Sequence, residues 1–146
     1  MIGHEVAVEH NDGGAPFLPA YPDLHISISH CRTAVAVAVC DKRAVGIDIE
    51  SRRKVDSGLM QRVCTSDELD AIRRSDDPTM AFLRLWTRKE AVLKCLGTGI
   101  RGFESMVHAL AACTVEVRDL PCDLPDTVAA LAVRVSTPSP SRLHSL

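Results

Sequence analysis

The stretch from Asp77 to Gly97 constrains this chain most. Asp77-Pro78 supplies a helix N-cap and then a proline at the first helical position, where its missing N–H costs nothing. Phe82, Leu85, Leu93 and Leu96 recur at helical spacing, and Gly97 is a natural C-terminal stop. The spacing predicts one helix of about 19 residues, the longest in the chain. A helix with an apolar stripe needs another layer to bury it.

Strand-like runs on both sides supply that layer. Leu24 to Ser29 alternates Leu24, Ile26 and Ile28 with His25, Ser27 and Ser29. Ala34 to Cys40 is continuously apolar and reads as a buried strand. Ala44 to Glu50 carries Val45, Ile47 and Ile49. Links of about four residues between these runs suit antiparallel hairpins. Upstream, Glu5 to Glu9 alternates weakly and reads as a short first strand. Asn11 to Pro22, with Asn-Asp-Gly-Gly and its prolines, is turn and loop. Thr65-Ser66-Asp67-Glu68 fits a capping box that opens a helix to about Arg73. Thr114 to Arg118 and Val128 to Val135 read as late strands. Strands, then helices, then strands indicate an α+β domain over residues 1–135, an antiparallel sheet packed against one long helix. The tail from Ser136, rich in Ser and Pro, is expected to be disordered.

Composition narrows the function. The 146 residues suit one domain with a single core. Aromatics are only 3%, so that core must rest on Val, Ala, Leu and Ile. The net charge of −2 gives no global argument for nucleic acid or an anionic membrane. An anionic ligand must be met by a local patch. No apolar run approaches the ~18 residues of a membrane span. The start, MIGHEVAVEH, lacks the pattern of a signal peptide, so a cytoplasmic protein is expected. Cys31, Cys40, Cys64, Cys95, Cys113 and Cys122 form no CxxC pair and read as free, mostly buried thiols.

Three clusters carry chemistry. In Gly46-Ile47-Asp48-Ile49-Glu50 a strand would put Asp48 and Glu50 on one face and the isoleucines on the other. Adjacent carboxylates repel, so this is either a solvated outer face or a site for a cation. On the long helix, Trp86, Glu90 and Lys94 share one face. Glu90 and Lys94 there are either an ordinary surface pair or part of a site. Lys89 lies on a neighbouring face, and Trp86 reads as a packing residue. Ser27, Ser29 and His30 end a strand, as turn chemistry or as donors to phosphate oxygens.

In order, GGAPFLP (Gly13 to Pro19), HISISH (His25 to His30), GIDIE (Gly46 to Glu50) and WTRKEAVLKCLGTGI (Trp86 to Ile100) resemble the 4′-phosphopantetheinyl transferase superfamily. The stretch from Arg62 to Glu68 resembles the helix start that the family places between the last two. SISH before GIDIE is the order of the two-lobed, surfactin-type transferases. The chain looks like the end of their first lobe followed by a whole second lobe.

The resemblance implies transfer of phosphopantetheine from coenzyme A to a serine of an acyl or peptidyl carrier protein. It implies Mg²⁺ on Asp48, Glu50 and Glu90, a metal that favours hard oxygen ligands. Glu90 would be the base for the serine hydroxyl. Lys94 would contact phosphate and stabilise the leaving 3′,5′-ADP. Ser29 and His30 would bind coenzyme A phosphates. Arg52, Arg53 and Lys54, after GIDIE, are either a solvated loop or a docking patch for an acidic carrier-protein helix. Gly14-Ala15-Pro16 stands where many relatives have Gly-Lys-Pro, which removes one phosphate-binding lysine; Arg32, Lys42 and Arg43 are the basic residues left nearby. A lone half would expose the face that the first lobe covers, so a homo-oligomer is expected. The alternative is a catalytically silent module that binds coenzyme A or a carrier protein.

Overall fold

The computed structural model of the protein describes residues 5–98 and 103–135. The chain opens on a short ladder of β1 (Glu9–His10) with β2 (Pro16–Phe17). Asn11 folds the turn between them: its Oδ1 accepts from the N–H groups of Gly13 and Ala15, each at 3.0 Å. The strand expected over Glu5 to Glu9 shrinks to this stub. Val6 and Val8 are exposed and have no layer to pack on.

β3 (His25–His30) and β4 (Val35–Cys40) form an antiparallel hairpin, with His25 opposite Cys40 and His30 opposite Val35. The continuous apolar run of β4 is not a buried strand. Val35, Val37 and Val39 are 69%, 57% and 57% exposed, while the alanines between them turn partly inward. The inner face of the hairpin takes only small side chains, so the valines face out.

β5 (Val45–Ser51) does not extend that hairpin. It pairs antiparallel with β7 (Thr127–Arg134), which pairs with β6 (Val115–Leu120), in the order β5–β7–β6. Asp48 lies opposite Ala130 and Gly46 opposite Ala132. Pairing with β7 gives the buried β5 an equally buried neighbour, which β4 cannot supply. β3 still borders the other edge of β5. There the Ile47 N–H donates to Ser27 Oγ at 3.0 Å and the Ile49 N–H to Ser29 Oγ at 3.3 Å. Two hydroxyls stand in for the carbonyls of an adjacent strand.

The helices are α1 (Ser57–Val63), α2 (Ser66–Arg73), α3 (Pro78–Leu96) and α4 (Phe103–Val107), with a 3₁₀ turn at Ala109–Ala111. The capping box at Thr65 and Glu68 forms as read, and so do both ends of the 19-residue α3. Asp77 accepts from the Met80 N–H, and Gly97 closes the helix at φ +68°. α1 and α4 had no counterpart in the sequence reading. α1 contains Gly58, and α4 is too short for periodicity.

α3 covers the sheet face that holds Gly46, Asp48, Val128, Ala130 and Ala132. Phe82, Leu83, Val92 and Met106 fill the space around it. Lys89 is 1% exposed, and its Nζ donates to Val63 O (2.7 Å), Glu68 Oε2 (2.7 Å) and Val107 O (3.4 Å). It ties α1, α2 and α4 to α3. Only Cys64 and Cys95 of the six free thiols are buried; Cys113 is exposed and the rest lie between, all in loops or at strand ends. The expectation of mostly buried thiols therefore fails. Among the described residues no helix is long and apolar enough to cross a membrane. The tail from Ser136, like Gly99 and Ile100 at the end of the fourth motif, lies outside the described residues.

A Cβ added at Gly46 would stand 1.9 Å from Ala91 O and 2.5 Å from Cys95 N, both backbone atoms of α3. Gly46→Ala should therefore cost about 3 kcal/mol, read as a lower urea midpoint at unchanged slope. A stability equal to wild type would disprove the close approach.

Candidate functional site

The site grows from the contact of β5 with α3. Asp48 follows Gly46 on the same strand face and is 6% exposed. Its Oδ1 accepts from Ser29 Oγ at 2.7 Å and from Lys94 Nζ at 2.8 Å. Lys94 also donates to Ile47 O at 3.0 Å. Oδ2 of Asp48 is buried and has no hydrogen-bond partner. Burial pushes the Asp48 carboxyl above its ordinary range, and outweighs the opposing pull of Lys94 and Ser29.

Glu90, from α3, is 9% exposed. Burial first, and then the negative charge of Asp48, raise it from 4.5 to about 7; Lys94 opposes and Glu50 adds a little. No hydrogen bond offsets these costs. Lys94 thus pairs with Asp48 across the helix–strand contact, and the simple surface pair of Glu90 with Lys94 does not form.

Glu50 is held differently. Arg53 grips it with two bonds, at 3.1 and 3.2 Å, and sits over the Trp86 ring at 5.9 Å from its centroid. Trp86 packs on Phe82 with ring centroids 6.0 Å apart, the packing role the sequence suggested. Among the described residues no three His, Cys, Asp or Glu side chains converge into a group that could hold a metal. The donors that are ready are Asp48 and Glu90: hard oxygens, mutually repelling, with one buried oxygen unpartnered. That chemistry fits a hard divalent cation. Glu50 can join only by leaving Arg53.

Beside this cluster runs a cleft of about 170 Å³, lined by the Gly13–Pro16 turn, Ile26 to Ile28, Lys94 and Gly97. The first, second and fourth sequence motifs meet there, and Lys94 stands between cleft and carboxylates. His30 is exposed at the end of β3 and does not line the cleft. Ser29 is buried, with its hydroxyl engaged by Asp48 and Ile49. Arg52 bonds Asp77 and, at 3.1 Å, Asp126; of the three basic residues after GIDIE, Lys54 has no ion pair among the described residues. Arg43 lies on the far face of the sheet beside Leu131 and Val133, and Arg32 near Arg52. The sequence reading missed the grip of Arg53 on Glu50, for which their three-residue spacing was the only signal. It also missed the strand-edge role of Ser27 and Ser29, signalled by two serines on one face of a strand.

The elevated Glu90 makes stability depend on pH. Between about 4.5 and 7 the folded state binds more protons than the unfolded chain. In metal-free protein this contribution is full below pH 4.5 and is lost as pH rises through 7. Asp48 adds in the same direction. Urea midpoints should fall across that window, and Glu90→Gln should flatten the fall. An identical profile for wild type and Glu90→Gln would refute this account.

The model of the 4′-phosphopantetheinyl transferase superfamily matches residues 44–128, from the start of β5 into β7. A 4′-phosphopantetheinyl transferase of Bacillus subtilis is 34% identical over 89 residues, which cover 60% of this chain and 39% of the relative. The transferase psf-1 of Bacillus pumilus is 32% identical over 98 residues, 66% of this chain and 42% of the relative. The transferase Sfp of Bacillus subtilis strain 168 is 30% identical over 112 residues, 73% of this chain and 50% of the relative. The chain spans half or less of the length of these relatives. The matched segment covers more than half of the chain and contains Asp48, Glu50, Glu90 and Lys94, and the chain belongs to the 4′-phosphopantetheinyl transferase superfamily.

Proposed function

We propose that this protein transfers the 4′-phosphopantetheine arm from coenzyme A to a serine of an acyl or peptidyl carrier protein, with Mg²⁺ held by Asp48, Glu90 and Glu50. One observation carries the reading. A buried aspartate with an unpartnered oxygen and a glutamate raised to about 7 sit beside a lysine that lines an open cleft. When bound, Mg²⁺ would offset the carboxylate repulsion and polarise the pyrophosphate of coenzyme A.

The residues then divide the work. The cleft beside Lys94 receives the pyrophosphate end of coenzyme A. Glu90 in its ionised form takes the proton of the carrier serine hydroxyl. The serine oxygen attacks the β-phosphorus, and the bond from that phosphorus to the bridging oxygen breaks. The electron pair leaves on 3′,5′-ADP, and Lys94 offsets the charge that develops there. His30, exposed at the end of β3, would meet a coenzyme A phosphate in this reading. Arg52, Arg53 and Lys54 form the docking patch for an acidic carrier helix, a contact that weakens with salt. A cytoplasmic setting suits free thiols of mixed exposure.

A second reading is favoured by the grip of Arg53 on Glu50, which leaves one expected metal ligand occupied. In that reading the chain binds coenzyme A or carrier protein without turnover. Incubation with apo carrier protein, coenzyme A and Mg²⁺ should add the arm as an intact mass shift, and Glu90→Gln should abolish it without loss of stability. No shift with several carriers, beside a working control transferase, would sink the transferase reading. Calorimetric binding of coenzyme A without turnover would favour the silent module.

The exposed Val35, Val37 and Val39 face also supports a homo-oligomer, in which a second copy covers it. Light scattering should give more than the monomer mass, and Val37→Lys should lower it. A monomer at working concentration would refute the oligomer.

A further inference from the structure

By resemblance, Ser29 belongs with the groups that bind coenzyme A phosphates. Its surroundings point elsewhere. Ser29 is 7% exposed, and its oxygen accepts from the Ile49 N–H at 3.3 Å. That bond fixes the hydroxyl against β5, the strand that carries Asp48. Its proton goes to Asp48 Oδ1 at 2.7 Å. We propose that Ser29 is a positioning residue for the metal, acting through Asp48. This rests on the Mg²⁺ reading given above.

The distribution of donors on Asp48 carries the argument. Oδ1 receives both Ser29 and Lys94, at 2.7 and 2.8 Å, and Oδ2 receives nothing although it is buried. A carboxylate bonded this way is a one-oxygen ligand: Oδ1 is satisfied and Oδ2 is left for a cation. Rotating the carboxylate out of this plane would break two charge-assisted bonds. Ser29 and Lys94 are not equivalent in this. Lys94 has a long side chain, 29% exposed, that lines the cleft. When it swings to a substrate phosphate, Ser29 is the donor that remains on Oδ1. Second-layer hydrogen bonds of this kind orient metal ligands and set affinity.

Ser27 provides an internal control. It is equally buried and accepts from the Ile47 N–H at 3.0 Å, as Ser29 does from Ile49, but it bonds no carboxylate. Ser29→Ala and Ser27→Ala each remove one acceptor at the edge of β5. Only the first touches Asp48.

The test is calorimetric titration of Mn²⁺ into the full chain without coenzyme A, with thermal melting of every variant. Ser29→Ala should weaken Mn²⁺ binding about tenfold. Ser27→Ala should leave it unchanged at a similar loss of melting temperature. Metal-free binding of coenzyme A should be the same in Ser29→Ala as in wild type. Ser29→Cys, which keeps the shape at a slightly larger volume with only a weak donor, gives the same reading if Ser29→Ala does not fold. Wild-type Mn²⁺ affinity in Ser29→Ala or Ser29→Cys, with coenzyme A affinity lost, would make Ser29 a phosphate ligand and overturn the inference alone. Absence of Mn²⁺ binding in wild type would overturn the Mg²⁺ reading and this inference with it.

Discussion

The site depends on the contact between Gly46 and the backbone of α3. A helix usually stands off a sheet by the thickness of two side chains. Here one of them is missing, and the ideal Cβ position at Gly46 falls 1.9 Å from Ala91 O. Ala130 and Ala132, both fully buried, keep the neighbouring strand equally low. The helix therefore lies against β5 at this point. Asp48 comes two residues after Gly46, and Glu90 and Lys94 flank Ala91 on the helix. The short Asp48 side chain meets Lys94 of the helix because the backbones are this close. The core around α3 is built mostly of Ala, Val, Leu and Cys, with Phe82 and Met106 among its larger members.

Electrostatics in that layer is left unbalanced. Three carboxylates face two cations: Arg53 answers Glu50 and Lys94 answers Asp48. Glu90 has no ion pair among the described residues, and near neutral pH a proton offsets its charge. Burial of such a group lowers stability, and a fold keeps it only where another cation or a reaction uses it. A proton and a divalent ion are two solutions to one excess of negative charge. The elevated Glu90 and the orphaned Asp48 Oδ2 are thus one observation seen from two residues. The same imbalance explains why Arg53 folds back onto Glu50, although a loop arginine gains little from an exposed pair in water. Its stack on Trp86 holds it there.

The sequence made local structure legible wherever a side chain caps or stops an element. Asp77-Pro78 and Gly97 bounded α3, and Thr65 with Glu68 opened α2. Strand faces were legible in part: the alternation in GIDIE put Asp48 and Glu50 on one face and the isoleucines on the other, but it did not show that the carboxylate face would meet the helix. Pairing partners were not legible. β5 pairs with a strand from the C-terminal end of the chain, and no local rule favours that over the nearer β4. Burial of β4 was misjudged because a Val-Ala run is apolar at every position. Its exposure is decided by which residue is small enough to face inward. Motif order made the family visible, but it could not tell a hydroxyl that meets a ligand from one that holds a ligand's ligand. At Ser29 the bonds to Asp48 and to the Ile49 N–H, which no motif shows, support the second reading.

Lys89 and Glu90 carry the last step. They are neighbours in sequence, both buried, and about 100° apart on one helix. Lys89 meets two backbone carbonyls and a carboxylate, so its ammonium is satisfied and chemically quiet. Glu90 has no hydrogen-bond donor among the described residues, and burial raises its pKa to about 7, where it can exchange a proton. The first residue fixes the helices around α3, and that rigidity keeps the second from relaxing into a better environment. A buried charge that is fully bonded belongs to the fold; one that is left short belongs to the chemistry. In this protein the two stand side by side: the bonds of Lys89 hold the helices around α3, and Glu90 keeps a carboxyl whose charge burial disfavours.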